Sequence, residues 1–247
     1  MLDITNLAVQ AGARRLLSGL TLHLPAGAIL AVLGPNGRGK TSLLKTMLGL
    51  RAPAAGTVRL DGPAAYVPQQ QDMLFDYDVL TLVTLGRARH LPWYASPGKA
   101  DFEIAHASLA QVGLAGLARR PLRALSGGQQ QLAAIARALA SESPLLVLDE
   151  PAAALDLRNQ DIVLTLLHRL SREHGMTVVF STHQPQHALH IADQTLLMMP
   201  GLCEAGATAQ MCTEARLSAL YGLPLRLAST GGTQGVIPIF SVPQAKP

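Results

Sequence analysis

Cysteine is nearly missing from this chain: Cys203 and Cys212 are the only two in 247 residues. Two thiols are too few for a disulfide framework or a four-ligand zinc site, so both read as ordinary reduced side chains. Aromatic residues are scarce, at 4%, and no basic run interleaves with them, so no nucleic-acid partner is expected. Charged residues make up only 15% of the chain against 49% hydrophobic, enough to bury a large core in one or two domains. Yet no apolar run approaches the roughly 20 residues that cross a bilayer. The opening stretch, MLDITNLAVQ, lacks the basic-then-apolar order of a signal peptide. A soluble cytosolic protein is the expectation. The formal charge is +4, with basic residues scattered, as in RARH and LARRPLR.

Short apolar runs alternate with helix-period stretches, which points to an α/β chain. LTLHL (Leu20 to Leu24) alternates like a half-buried strand, and AILAVLG (Ala28 to Gly34) reads as a buried one. PLLVLDE and MTVVFSTH are continuous apolar runs of the kind found in a covered parallel sheet. Between Asp156 and His174, Ile162, Leu166, Leu167 and Leu170 follow helical spacing. The middle third, about 72–143, has few strand signals and reads as a helical insertion in the α/β core. Residues 229–247 are rich in Gly, Pro and small polar residues, so a loosely ordered tail is expected after a domain spanning 1–228.

GPNGRGKT (Gly34 to Thr41) fits G-x-x-x-x-G-K-[ST], and it lies between a buried strand and a helix-like run. Gly34, Gly37 and Gly39 let the backbone curl so that its N–H groups converge on an anion. The following helix points its positive end at the same spot. Lys40 is placed to reach the β- and γ-phosphates of a nucleotide, and the Thr41 hydroxyl to hold Mg²⁺. The rest of the loop, Pro35, Asn36 and Arg38, together with Ser42 after it, completes the expected phosphate contacts. Such a cradle needs a carboxylate for the metal and a group to activate water. LLVLDEP ends an apolar strand in two adjacent acids, with Asp149 suited to the Mg²⁺ shell and Glu150 to polarising the attacking water.

LSGGQQQ (Leu125 to Gln131), followed by LAAIARALA, resembles the signature of the ATP-binding-cassette (ABC) ATPases and the helix behind it. Alone, Ser126 and its two glycines would pass as a helix-capping loop. Placed upstream of LLVLDEP and downstream of the phosphate loop, they follow the family's order. YVPQ supplies Gln69 in the position of the Q-loop glutamine, PAAALD supplies Asp156 of the D-loop, and FSTH supplies His183 as the switch histidine. The likeness runs from Leu2 to about Tyr221. It implies a P-loop NTPase cassette with a RecA-like α/β core, an N-terminal antiparallel β-subdomain and an inserted helical subdomain. It also implies ATP and Mg²⁺ as ligands, with Gln69 beside the metal and His183 at the γ-phosphate. In this family two cassettes face head to tail, so Ser126, Gly127, Gly128 and Gln129 of one copy are expected to close over the nucleotide of the other.

STHQPQHALH carries His183, His187 and His190, a spacing that also suits zinc. A hydrolase of the H-E-x-x-H type would want Glu at position 184, and Gln184 stands there instead. The family assignment gives His183 its task and leaves the other two without one. The chain departs from the family where an aromatic usually stacks on adenine near the end of the first strand. That position is Ala11, and no aromatic precedes Tyr66. Arg14 or Arg15 is the expected replacement, through its planar guanidinium.

A lone cassette must deliver its motion to another polypeptide. Met73, Phe75, Tyr77, Trp93 and Tyr94 gather in one stretch, suited either to packing the helical insertion or to gripping a short helix of a membrane partner. LGRARHLPWYASP and YGLP are similar to ATPases of importers for ferric siderophores, haem and vitamin B12, and the stretch from Leu157 to Met198 is most like the molybdate/tungstate importer ATPases. The resemblance therefore implies a homodimer, integral-membrane permease subunits, an indirect link to a periplasmic binding protein, and a peripheral place on the cytoplasmic face of a bacterial inner membrane. An exporter cassette, or a cytosolic ABC ATPase of the iron–sulfur assembly type, is the competing reading.

Overall fold

The structure is a computed structural model that describes residues 1–12, 14–69, 77–199, 202–231 and 233–240. In chain order the elements open with β1 (Leu2–Ala11), β2 (Arg14–Leu24), β3 (Ile29–Leu33), α1 (Lys40–Met47), β4 (Ala55–Leu60) and β5 (Ala64–Val67). The helical stretch follows with α2 (Val79–Thr84), a 3₁₀ turn over Leu85–His90, α3 (Lys99–Gln111) and α4 (Gly127–Ala140). Then come β6 (Leu145–Leu148), α5 (Leu157–His174), β7 (Thr177–Thr182), α6 (Pro185–Ile191) and β8 (Gln194–Met199). The chain closes with β9 (Leu202–Ala207), α7 (Thr208–Met211), α8 (Glu214–Tyr221), β10 (Leu225–Thr230) and β11 (Thr233–Pro238).

Two compact units emerge. The first holds residues 60–180 with Met1 and Pro25–Gly27. Its strands β5, β6 and β7 are parallel neighbours in that order. Every residue of β6 and β7 is buried, which explains why both read as unbroken apolar runs rather than alternating ones. Helix α5 starts at the Asp156 cap and stops at Gly175, whose φ of 65° ends the helix in a left-handed turn. Val163, Leu166, Leu167 and Leu170 form its buried stripe. Ile162, expected on that stripe, is 39% exposed, because the helix turns it toward the groove beside α3.

Helices α2, α3 and α4 pack on one another, as the strand-poor middle of the sequence led us to expect. Arg87, 6% exposed, pins the 3₁₀ turn to both neighbours. It donates to Asp101 Oδ1 of α3 at 3.1 Å, to the Ala140 carbonyl at 2.8 Å and to Glu142 Oε2 at 2.6 Å. Burial alone would lower its pKa, but the Glu142 and Asp101 carboxylates more than reverse that. Asp101 is in turn held below the usual carboxylate range, first by the Gly98 N–H and then by Arg87. The Ala140 contact also places a cation at the C-terminal end of α4, where unpaired carbonyls concentrate negative charge.

The second unit holds residues 2–24, 28–59 and 181–247. It carries the expected N-terminal sheet, in the order β2-β1-β4 with β1 and β2 antiparallel. Strand β3, buried at all five positions, runs parallel to β8, which pairs antiparallel with β9. Residues 233–238, inside the stretch expected to be a loose tail, instead form β11, paired in register with β10 from Leu225↔Pro238 to Thr230↔Thr233. The Gly231-Gly232 pair between the strands is a two-residue hairpin signal, outweighed in the composition by the surrounding Pro and Gly. Residues 241–247 lie outside the described residues. No described helix is long and apolar enough to cross a membrane.

Candidate functional site

The phosphate loop lies in the second unit, between the end of β3 and the start of α1. Its first residue is anchored to the neighbouring strand end: the Gly34 N–H donates to the Thr182 carbonyl at 3.2 Å. Gly37 has a φ of 75° and Gly39 a φ of 94°, a region an L side chain enters only with strain. A side chain at Gly39 would also have to push the Leu16 side chain aside. A Cβ there would stand 2.7 Å from Leu16 Cδ1, so Leu16 of β2 packs directly on the loop. These two turns fold the loop around the Lys40 ammonium. Lys40 is only 5% exposed, and its Nζ donates to the Gly34 carbonyl at 2.9 Å, the Pro35 carbonyl at 3.2 Å and Asn36 Oδ1 at 3.5 Å. Thr41 and Ser42 begin α1 half-buried, and Arg51 Nη1 donates to Ser42 Oγ at 3.4 Å. Arg38 is half-buried, while Asn36 and Gly37 are exposed.

In the same unit β7 ends at Thr182, and His183 follows it half-buried. Its backbone is fixed by the Tyr221 hydroxyl, which donates to the His183 carbonyl at 2.7 Å. His187 is buried with its Nδ1 3.2 Å from Thr182 Oγ1, whereas His190 is exposed at the last turn of α6. Among the described residues no cluster of three histidines, cysteines or acids is arranged to hold a metal. Ala11 pairs with Arg14, and Gln10 with Arg15, at the exposed tip of the β1–β2 hairpin.

The two acids lie in the first unit. Asp149 directly follows β6 with 2% of its surface exposed, and its N–H donates to the Val67 carbonyl of β5 at 2.9 Å. Glu150, 9% exposed, has a φ of 49°. A glutamate in the left-handed region is uncommon, and such strain concentrates at functional sites. It has a local consequence too: the strand's strict alternation breaks between Asp149 and Glu150, as two adjacent acids serving one site require. Tyr66 of β5 is half-buried and feels the Asp149 carboxylate. Burial, and then the Asp149 charge, push its phenol up to about 12. The hydroxyl therefore keeps its proton. Gln69 lies exposed just beyond β5.

The signature loop caps α4. Gln129 N–H donates to Ser126 Oγ at 3.3 Å, and Ser126 N–H donates to Gln129 Oε1 at 3.1 Å, a reciprocal capping box. Gln130 Nε2 ties the approach to the cap by donating to the Leu125 carbonyl at 3.1 Å. Ser126 and Gly127 are exposed and Gly128 is buried. A Cβ on Gly128 would sit 2.6 Å from Asn159 Cγ, so this glycine lets α4 start against the first turn of α5. Asp156 caps that turn, its Oδ1 accepting from the Asn159 N–H at 2.8 Å. The structure thus brings Gly128 and Asp156 together through Asn159.

Tyr66, Asn159, Leu16 and Tyr221 are the members that sequence reasoning missed. Only Tyr66 had a usable signal there, since strand alternation puts it on the same face as the acid of a paired neighbour.

Comparison with known proteins agrees with these motifs. The family model described as ABC transporter matches residues 17–153. The molybdate import ATP-binding protein MolC of Haemophilus influenzae is 44% identical over 225 residues, 91% of this chain and 89% of that one. A solved structure described as a metal-chelate type ABC transporter in an inward-facing conformation superposes with a TM-score of 0.92 at 40% identity, over 97% of both chains. A cassette solved as a dimer in a post-hydrolysis state, bound to ADP and phosphate, matches with a TM-score of 0.73 at 26% identity over 84% of this chain and 99% of its own. The chain belongs to the ABC transporter family, as an ATP-binding cassette that binds and hydrolyses ATP.

Proposed function

We propose that this cassette powers the uptake of a metal chelate or an oxyanion through a separate permease, with molybdate or tungstate as the favoured cargo. The observation that carries the ATPase part is the cradle, in which a buried ammonium is fixed 2.9 Å from the Gly34 carbonyl at the positive end of α1. The likeness to a molybdate import ATP-binding protein and to a metal-chelate type transporter supports the import part. Two copies are proposed to pair, the Ser126–Gln129 loop and Asp156 of one closing on the nucleotide of the other, at the cytoplasmic face of a bacterial inner membrane. A periplasmic binding protein is proposed to choose the cargo. We further propose a domain over 1–228 whose helical part, 72–143, transmits the motion.

The roles divide by chemistry. Lys40 and the loop Gly34 to Ser42, through its N–H groups from Asn36 onward, neutralise and orient the phosphates. Glu150 accepts the proton of the attacking water, and His183 holds the γ-phosphate end in line. The hard oxygens of Thr41, Gln69 and the buried Asp149 fit Mg²⁺, which demands such donors and would supply charge neutralisation at the phosphates. At the other end, Arg14 or Arg15 is proposed to lie against the base. Replacing both by alanine should weaken ATP binding about fivefold, the size of an exposed cation–π contact. Unchanged affinity in a nucleotide titration would remove them from the site.

Trp93 and Tyr94 form the proposed permease contact. They are 95% and 75% exposed and meet edge to face, with centroids 5.7 Å apart at 88°. Exposed aromatics of this size mark contact surfaces. Tyr77 is half-buried, and Met73 and Phe75, also expected here, lie outside the described residues. Trp93 is the only tryptophan of the chain, so its fluorescence reports this spot alone. Its emission should shift to the blue when the cassette binds vesicles carrying its permease. An unchanged spectrum at saturating permease would move the contact elsewhere.

A further inference from the structure

The chain that enters the signature loop is fastened at both of its ends. At the far end it caps α2. The first N–H groups of a helix have no partner inside it, and here Val79 donates to the Arg120 carbonyl at 3.0 Å and Leu80 to the Ala118 carbonyl at 2.8 Å. The Leu122 N–H answers by donating to the Tyr77 carbonyl at 2.9 Å. Between these bonds Asp78 stands opposite Pro121 in an antiparallel bridge. Opposed residues flanked in this way exchange no bond of their own, so the missing N–H of proline leaves nothing unpaired. Val79 is fully buried, which shields the contact from water.

At the near end the tie is a side chain. Leu122–Ala124 make one 3₁₀ turn, closed by the Leu125 N–H on the Leu122 carbonyl at 3.1 Å. Gln130 Nε2 donates to that same Leu122 carbonyl at 3.3 Å and to the Leu125 carbonyl at 3.1 Å. Its backbone N–H donates to the Ser126 carbonyl at 2.8 Å, closing the first turn of α4. One residue thus holds both the turn before Ser126 and the helix after it. Only a donor fits there, because an oxygen facing two carbonyls would be repelled. We propose that Gln130 is a positioning residue for the signature serine: through these two carbonyls it fixes where Ser126 stands when it meets the nucleotide of a second copy. The family resemblance gives the loop from Ser126 to Gln129 a task and Gln130 none. This inference rests on the proposed pairing of two copies.

The test uses the full chain carrying Glu150→Gln, in which ATP-bound dimers should persist. Added to it, Gln130→Met keeps the length of the side chain and removes the donor. The dimer dissociation constant at saturating ATP, from analytical ultracentrifugation, should then rise about tenfold, because each dimer loses ordinary hydrogen bonds at two loops. ATP affinity of the dilute single copy should stay native, since Gln130 takes no part in the cradle around Lys40. Gln130→Arg retains donors and should not weaken pairing. Unchanged pairing in Gln130→Met would overturn the inference, and so would equal weakening in Gln130→Arg or a matching loss of affinity in the single copy. A separate outcome tests the underlying assumption. If the Glu150→Gln chain with Gln130 intact stays single in ATP, the pairing of copies falls and the role of Gln130 with it.

Discussion

Glu150→Gln should hydrolyse ATP about a thousandfold more slowly than the native cassette while still binding it. A positioned general base contributes roughly 10²–10⁴-fold, and the amide cannot take a proton from water. Every group proposed to bind phosphate survives the change, because the cradle is built from Lys40, backbone N–H groups and α1. The left-handed backbone at Glu150, with φ 49°, is no harder for glutamine to adopt, so the fold has no reason to suffer. The variant should therefore accumulate as an ATP-bound dimer, visible as a doubled mass in size-exclusion chromatography with ATP and a single mass without it. Turnover near the native rate would sink the assignment of Glu150.

Lys40→Ala acts earlier, on capture. Hydrogen bonds to charged groups contribute about 1.5–3 kcal/mol, and this ammonium is buried where screening by water is weak. Nucleotide affinity should fall on the order of a hundredfold, measured by titration with a fluorescent ATP analogue. The loss has a second source. Lys40 ties the Gly34 and Pro35 carbonyls together, and without it the loop loses the contacts that keep its N–H groups convergent. Lys40→Arg should recover the charge but not the binding, because a planar fork is too large for the space around a point charge. If alanine leaves affinity unchanged, the loop is not a phosphate cradle.

What could be read in the sequence was what adjacent residues decide. The loop Gly34–Thr41 announces itself because its glycines, lysine and threonine are contiguous, and β6 and β7 because burial on both faces forces unbroken apolar runs. Ser126 as a cap was equally local, since the box closes over three residues. What remained hidden depends on pairing between distant segments. Tyr66 meets Asp149 only because β5 and β6 adopt one register, and Asn159 meets Gly128 only because two helices begin side by side. The hairpin of β10 and β11 was missed for another reason. Its composition resembles a disordered tail, and the pairing of its two strands outweighs that composition. Ile162 fails in the opposite sense, its spacing being right while its neighbour α3 leaves that flank open.

The reciprocal cap at Ser126 divides one hydroxyl between two clients. The oxygen's lone pair is turned inward, receiving the Gln129 N–H, which leaves the hydroxyl hydrogen as the part able to face outward. In the proposed pairing of two copies, a serine so held meets the partner's nucleotide with its polarity already chosen, and no reorientation is needed at the moment of contact. An aspartate could fill the structural post equally well, but it would present negative charge to a negatively charged visitor. The cap and the proposed recognition thus demand different things of this position, and a short alcohol satisfies both.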